Sequence, residues 1–251
     1  MSHQSHQELL SGSKSMIKKS IVATLAISVL ALGVSTSYAA AKPKPAPKAA
    51  APKAAATPKA AATSAGLHCA ATSVVGHAPK DVALPTLIKN TAQDKTFTLT
   101  TNCGTIVIDA FTSKAPFTVS AMTSLASQGF FDGSLCHRLT TQGIFVLQCG
   151  DPTATGTSGA KFTYRDENLP VYKANDYPAG TVAMANSGPN TNSSQFFLVY
   201  ADTTLGPNYT IWGQITQGLD ILKAIAAKGV ANGATDGTPA QTVAIEKEIV
   251  K

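Results

Sequence analysis

From residue 95 onward, apolar and polar positions alternate in short runs. Phe97 and Leu99 are spaced by threonines, and Ile106, Val107 and Ile108 follow beyond Asn102-Cys103-Gly104. Alternation with period two on both sides of a turn predicts a β-hairpin. The period then changes. Pro116 opens a segment carrying Phe117, Ala121, Leu125 and Ala126, and Gly129 closes it. Proline at the first turn and glycine just past the end are helix boundaries. Further strand-like runs fall at 144–148, 181–185, 194–200, 209–213 and 241–246. A second helix is predicted where Leu219, Leu222 and Ile225 recur at helical spacing, with Lys228 near its end and Gly229 after it. Many short strands, Gly/Pro-rich connections and only two helices predict a mainly β fold, a closed antiparallel barrel.

Ahead of this region the patterning is lost. Residues 65–94 form an N-terminal extension with few structural signals. Residues 41–64 consist of Ala, Pro and Lys with a few Thr and Ser, which cannot build a core and predict a solvated spacer. Residues 1–40 read as an export signal. Lys14, Lys18 and Lys19 precede a fourteen-residue apolar run, Ile21 to Val34, and Ser37-Tyr38-Ala39 is a small-x-small cleavage site. The run is short for a membrane span, which needs about 20 residues. The expected location is therefore secreted or envelope-associated.

The net charge of +6 changes meaning once it is divided along the chain. Residues 1–64 carry eight Lys and one Glu, whereas residues 65–251 carry twelve Lys plus Arg against thirteen Asp plus Glu. The globular part is thus near −1, which argues against a nucleic-acid partner. A plain spacer is the expectation for the lysine-bearing segment, with contact to an anionic cell envelope the alternative.

Four cysteines stand at positions 69, 103, 136 and 149. In an exported chain an even count favours disulfides, and four allow three pairings. Cys136 and Cys149 flank one predicted hairpin and can face each other across it, which would leave Cys69 with Cys103. Free buried thiols are the alternative. The spacing is not that of a zinc site.

The remaining chemistry is sparse. Arg138 and Arg165 are the only arginines. Ser134 and Asp132 beside His137 make no triad, because local adjacency does not build one. Asp151, Asp166 and Glu167 lack cation-loop spacing, and Gly150 to Gly156 lacks the lysine of a phosphate loop. What remains is Arg138 on a predicted strand, amides Gln148 and Gln195 on apolar strands, and large apolar side chains at 145, 146, 197 and 205. Buried amides need partners, which a substrate backbone supplies. On one strand Val146 and Gln148 share a face, and Phe145 shares it only if the strand bends. Ala185-Asn186 precedes the turn Ser187-Gly188-Pro189-Asn190, where an extended peptide can pair as an added strand.

Phe131-Asp132-Gly133, His137-Arg138, Gln148-Cys149-Gly150-Asp151-Pro152 and Met184-Ala185-Asn186 through Gln195-Phe196-Phe197 together resemble the cyclophilins, a peptidyl-prolyl isomerase family. The resemblance covers about residues 95–249. It implies a closed eight-stranded antiparallel barrel capped by two α-helices, forming an isomerase domain over residues 95–251. By the resemblance, Arg138 is catalytic. Phe145, Val146, Phe197 and Leu205 form the proline pocket, Gln148, Ala185, Asn186 and Gln195 contact substrate, and Gly156 lies in the loop beside the groove. Some positions depart from the family. Val146 replaces a usual methionine, and Tyr209 stands where a histidine is common but can still pack and hydrogen-bond. Thr204 replaces a tryptophan that contacts cyclosporin, so weak cyclosporin binding is expected. Ala154 and Ser158 replace loop glycines.

The resulting expectation is an exported isomerase, assisting the folding of secreted proteins, acting on proline-containing peptides as a monomer without cofactor or metal. Two rivals are a groove that binds proline peptides without turnover, and a surface protein whose spacer is the working part.

Overall fold

The computed structural model of the chain describes residues 68–86 and 94–251. The expected export signal over residues 1–40 and the Ala/Pro/Lys spacer lie outside these residues. Strands β1 (Lys95–Thr101) and β2 (Gly104–Ala110) form the predicted hairpin, joined through Asn102-Cys103. Helix α1 runs over Pro116–Ser127, and helix α2 over Leu219–Ala227. Between and after them come β3 (Ser134–Leu135), β4 (Arg138–Thr140), β5 (Val146–Cys149), β6 (Thr181–Met184), β7 (Phe196–Val199), β8 (Ile211–Gln217), β9 (Asp236–Gly237) and β10 (Ala244–Val250).

All the strands join one antiparallel sheet in the order β3-β10-β1-β2-β8-β6-β7-β5-β4-β9. It curls into a half-barrel. The expected closed eight-stranded barrel is therefore corrected to ten strands and an open ladder. The seam lies where β3 passes into β4. The Cys136 N–H donates to Val243 on the β10 side at 2.9 Å, and the His137 N–H donates to Gln148 on β5 at 3.0 Å. Consecutive residues thus bond to opposite ends of the sheet. The covalent chain crosses the seam, while the far edge of β4 is taken by β9.

The core fills the inside of the curl. Phe97, Leu99, Ile106 and Ile108 from the hairpin meet Val119, Met122 and Leu125 of α1, and Trp212, Phe196 and Phe131. Trp212 meets Phe97 and Phe196 edge-on, at ring centroid distances of 5.2 and 6.1 Å, an arrangement aromatic pairs favour. The start of α1 has no capping side chain of its own. Glu167 reaches in from a distant loop and accepts from the Phe117 and Thr118 N–H groups at 3.1 and 2.8 Å. A carboxylate there satisfies exposed donors and meets the positive end of the helix.

Residues 68–86 contain no helix or strand, yet they are held as a strap. A disulfide joins Cys69 to Cys103, and Ala70 exchanges hydrogen bonds with Asn102. Farther along, the His77 N–H donates to Pro152, Lys80 Nζ donates to the Gly129 carbonyl at 2.5 Å, and Val82 is buried. A side chain at Gly76 would meet the Pro152 carbonyl at 2.6 Å, at a φ of +89° that favours glycine. The second disulfide joins Cys136, two residues ahead of β4, to Cys149 at the end of β5.

Strand β10 starts later and runs further than the apolar run at 241–246. Its second half, Glu246-Lys247-Glu248, looks like a surface segment in sequence. Asp132 draws it into the sheet, accepting from the Glu248 N–H at 2.9 Å and from Lys247 Nζ at 2.6 Å.

Candidate active site

The outer face of β4, β5 and β7 carries a pocket of about 170 Å³ lined by Arg138, Ile144, Val146, Gln148, Ala185, Asn186, Phe197, Leu205 and Tyr209. Register brings the strand residues together: Arg138 lies opposite Gln148, Gln148 opposite Phe197, and Phe197 opposite Ala183. Side chains directly opposite one another on adjacent strands share a face, so the sheet aligns the arginine, the amide and the aromatic ring.

One expected pocket residue, Phe145, and one expected substrate contact, Gln195, lie outside this lining. Phe145 turns away, packs edge-on against Tyr200 at 5.9 Å and joins the core side. The chain bends over residues 142–144 and enters β5 at Val146, which leaves Ile144 and Val146 on the pocket side and Phe145 between them on the other. Gln195 lies behind the pocket as a link rather than a wall. Its Nε2 donates to the carbonyls of Gly156 and Ser158 at 3.0 and 2.7 Å, and its Oε1 accepts from Gln148 Nε2 at 2.8 Å. It lines a second depression beside the first, with Gly156, Thr157, Ser158, Ser193 and the shared residues Gln148, Ala185 and Asn186.

The floor is a small apolar cluster separate from the main core: Val146, Ala183, Phe197 and Val199 around Tyr177. Tyr177 is fully buried. Its hydroxyl donates to the Tyr209 carbonyl at 2.9 Å and accepts from the Tyr209 N–H at 3.0 Å. Burial drives the Tyr177 phenol pKa upward, so this clamp stays protonated. The Tyr209 ring then meets Phe197 edge-on at 5.5 Å. Leu205 is held by its own backbone, whose N–H donates to Asp176 at 2.9 Å. Asn186 Nδ2 donates to the Asn208 carbonyl at 2.8 Å, tying two rims of the pocket together.

Arg138 is fully engaged on one side. Its Nε and Nη2 each donate to a different oxygen of Asp236 at 2.7 Å, and its Nη1 donates to Gln148 Oε1 at 3.1 Å. The side chains of Arg138 and Asp236 are 38% and 54% exposed. At such exposure the pair adds at most about 1 kcal/mol to folding, so orientation is its main consequence. The hydrogen bonds that Arg138 donates to Asp236 hold the guanidinium pKa above its ordinary value, and the same bonds hold the Asp236 carboxyl below its own. Next door, burial lowers the His137 pKa, and the Arg138 charge adds to this while Asp151 opposes it. Burial alone would raise the pKa of Asp151, but its bonds from Thr153, Thr155 and Ser158 hold it low. These bonds fold the 151–158 loop around one carboxylate. Among the described residues, no group of three or more His, Cys, Asp or Glu is placed to hold a metal ion.

Sequence reasoning missed Ile144, Tyr177 and Asp236. Alternation was the available signal for Ile144. Tyr177 sits in an irregular segment and Asp236 on the two-residue strand β9, and no local pattern marks either.

A curled antiparallel sheet with two helices, bearing an apolar pocket with one arginine at its rim, defines a fold and site of the cyclophilin class. The model for "Cyclophilin type peptidyl-prolyl cis-trans isomerase/CLD" matches residues 96–250, and the chain belongs to that family. It is 44% identical over 193 residues to the probable peptidyl-prolyl cis-trans isomerase B of Mycobacterium tuberculosis, covering 72% of this chain and 63% of that protein. The corresponding protein of Mycobacterium leprae is 43% identical over 197 residues, covering 73% and 67%. The chain thus spans less than two thirds of the length of the Mycobacterium tuberculosis relative. Among solved structures, a Cryptosporidium parvum cyclophilin-type isomerase, crystallised in the presence of the dipeptide Ala-Pro, superposes with a TM-score of 0.54 at 25% identity, covering 62% of this chain and 98% of that one.

Proposed function

We propose that the chain is a peptidyl-prolyl cis-trans isomerase in which Arg138 donates to the prolyl nitrogen of a twisted Xaa-Pro bond. Rotation about that bond faces a barrier of roughly 18–20 kcal/mol, because the nitrogen lone pair is shared with the carbonyl. Twisting ends the sharing and makes the nitrogen basic. A donor aimed at it therefore bonds more strongly in the transition state than in either ground state, and only such differential binding accelerates the reaction. Guanidinium suits the task because it stays charged at any working pH.

One observation carries the reading: Arg138 stands at the rim of a pocket whose walls are Val146, Phe197 and Leu205. The apolar walls take the pyrrolidine ring, and the arginine meets the nitrogen. Gln148, Ala185, Asn186 and Gln195 then serve the flanking peptide. Val146 makes the pocket shorter and stiffer than a methionine would. Exported proteins are the substrates this reading favours. The leader in the sequence supports it, and so do two disulfides, which persist in oxidising compartments. There, slow proline isomerisation limits folding. Thr204, whose Oγ1 accepts from the Asn175 N–H at 2.9 Å, offers no indole surface, so cyclosporin binds weakly.

The test is isomerisation of an Xaa-Pro peptide by the full chain and by Arg138→Ala. A loss of at least 100-fold in kcat/KM with peptide binding retained is expected, a range typical of removing a transition-state donor. Equal turnover in the two proteins would sink the arginine mechanism. Peptide binding without turnover in the unaltered chain would leave a binding module.

A further inference from the structure

Arg138 is held by a residue that no pattern near it in the sequence announces. Asp236 stands on β9, whose register against β4 places Asp236 opposite Thr140 and Gly237 opposite Leu139. Arg138 and Thr140 lie two apart on β4 and share a face, so Arg138 and Asp236 are diagonal neighbours on that face. The surrounding segment fixes the carboxylate in place. The Thr141 N–H donates to the Thr235 carbonyl at 2.8 Å, the Ala231 N–H donates to Thr238 at 2.8 Å, and the Ala240 N–H donates to Gly229 at 2.9 Å. Gly237 adopts a φ of +149° at the turn out of β9.

A guanidinium has five N–H bonds. Asp236 takes the one on Nε and one on Nη2, and Gln148 takes one on Nη1. That leaves one N–H on each terminal nitrogen. We infer that Asp236 is a positioning residue for isomerisation: it fixes the guanidinium plane so that the unused terminal N–H edge is presented to the substrate. The inference rests on the reading that Arg138 is the donor to the prolyl nitrogen.

Two consequences of the clamp oppose each other. The carboxylate offsets the positive charge of Arg138, which weakens a purely electrostatic effect. It also removes the rotamer freedom of a long side chain and fixes the direction of the remaining N–H bonds, as fork-shaped pairing does. The prolyl nitrogen of a twisted amide is a neutral lone pair, not an anion. It responds to the direction of one N–H more than to net charge, so orientation dominates. Gln148 contributes the second anchor, and through Gln195 the chain of hydrogen bonds continues to the carbonyls of Gly156 and Ser158.

The experiment compares the full-length chain with Asp236→Ala, Asp236→Glu and Arg138→Ala, measuring kcat and KM separately on one Xaa-Pro peptide. The Nε–H resonance of Arg138 is recorded in parallel, which is tractable because the only other arginine is Arg165. The expected result for Asp236→Ala is a ten- to thirtyfold fall in kcat with KM within twofold, and fast solvent exchange at Arg138 Nε–H that is slow in the unaltered chain. Asp236→Glu, which keeps the carboxylate, recovers part of the loss. A merely structural role would lower the melting temperature without moving the Nε–H exchange or splitting kcat from KM. If Asp236→Ala keeps or raises kcat while Arg138→Ala is inactive, the clamp is overturned and the donor role stands. If Arg138→Ala is itself active, the donor reading fails and the clamp fails with it.

Discussion

Ile144 and Phe145 are adjacent where the chain bends into β5, and their side chains part, one towards the pocket and the other towards the core. Ile144 lines the pocket beside Val146, whereas Phe145 packs on Tyr200 and lies against the main core. Truncating each should therefore fail differently. Ile144→Ala is expected to lower kcat/KM by about tenfold, within the range for removing a few methylenes from an apolar pocket, with little change in melting temperature. Phe145→Ala should cost about 2 kcal/mol of stability, below the 3–5 typical of a fully buried phenylalanine, and leave kcat/KM near that of the unaltered chain. Paired thermal melts and steady-state kinetics on the two variants decide it; the opposite pattern would restore Phe145 to the pocket. At this scale the sequence was most legible where residue type and period agreed. Arg138, Val146, Gln148 and Phe197 sit on alternating strands, and their faces follow from counting. Asp236 was not legible, because it meets Arg138 across 98 residues of chain and its two-residue strand is too short to carry a period.

At the scale of elements, both helices and the first hairpin form where turn residues and periodicity placed them, because Pro116, Gly129 and Gly229 mark their limits chemically. Strands β3, β9 and the second half of β10 escaped for a physical reason. Their pairing is decided by distant partners, as when Asp132 binds the backbone of Glu248, and not by their own composition. The strap over residues 68–86 is the clearest case, since it is held in place by tertiary bonds and contains no helix or strand. Its anchor is the Cys69–Cys103 disulfide, which closes a loop with a sequence separation of 34. A cross-link of that span contributes on the order of 3–4 kcal/mol by restricting the unfolded chain. Cys69→Ser with Cys103→Ser is expected to lower stability by about that amount and to expose the strap to limited proteolysis. The Arg138 pocket lies on other elements, so kcat on a short peptide should stay within twofold. An unchanged denaturation midpoint in the double variant would show that the strap is held by its hydrogen bonds and by Val82 without help from the cross-link.

The stability of the whole molecule carries a pH dependence written by Glu248. This side chain is 2% exposed, lies opposite Leu99 in the sheet, and neither carboxyl oxygen has a hydrogen-bond partner. Burial, reinforced by the nearby Asp132 charge, pushes its pKa from 4.5 up to about 8. The unfolded chain, with its lower pKa, releases the proton earlier. Between pH 4.5 and 8 the folded state therefore binds more protons than the unfolded one, and stability falls as pH rises through that window. The effect runs opposite to that of Asp151, whose lowered pKa makes its contribution present above the ordinary carboxylate range and lost in acid. Glu248→Gln keeps the shape and removes the titration. Its unfolding free energy should nearly match that of the unaltered chain at pH 5 and exceed it increasingly towards pH 8.5, by an amount on the order of a few kcal/mol. Parallel urea melts of the two proteins across this range test the point. Curves that stay parallel from pH 5 to 8.5 would mean that Glu248 is solvated or paired in solution. Because Glu248 and Arg138 stand on different faces of the curled sheet, kcat should follow the same pH profile in both proteins as long as both remain folded.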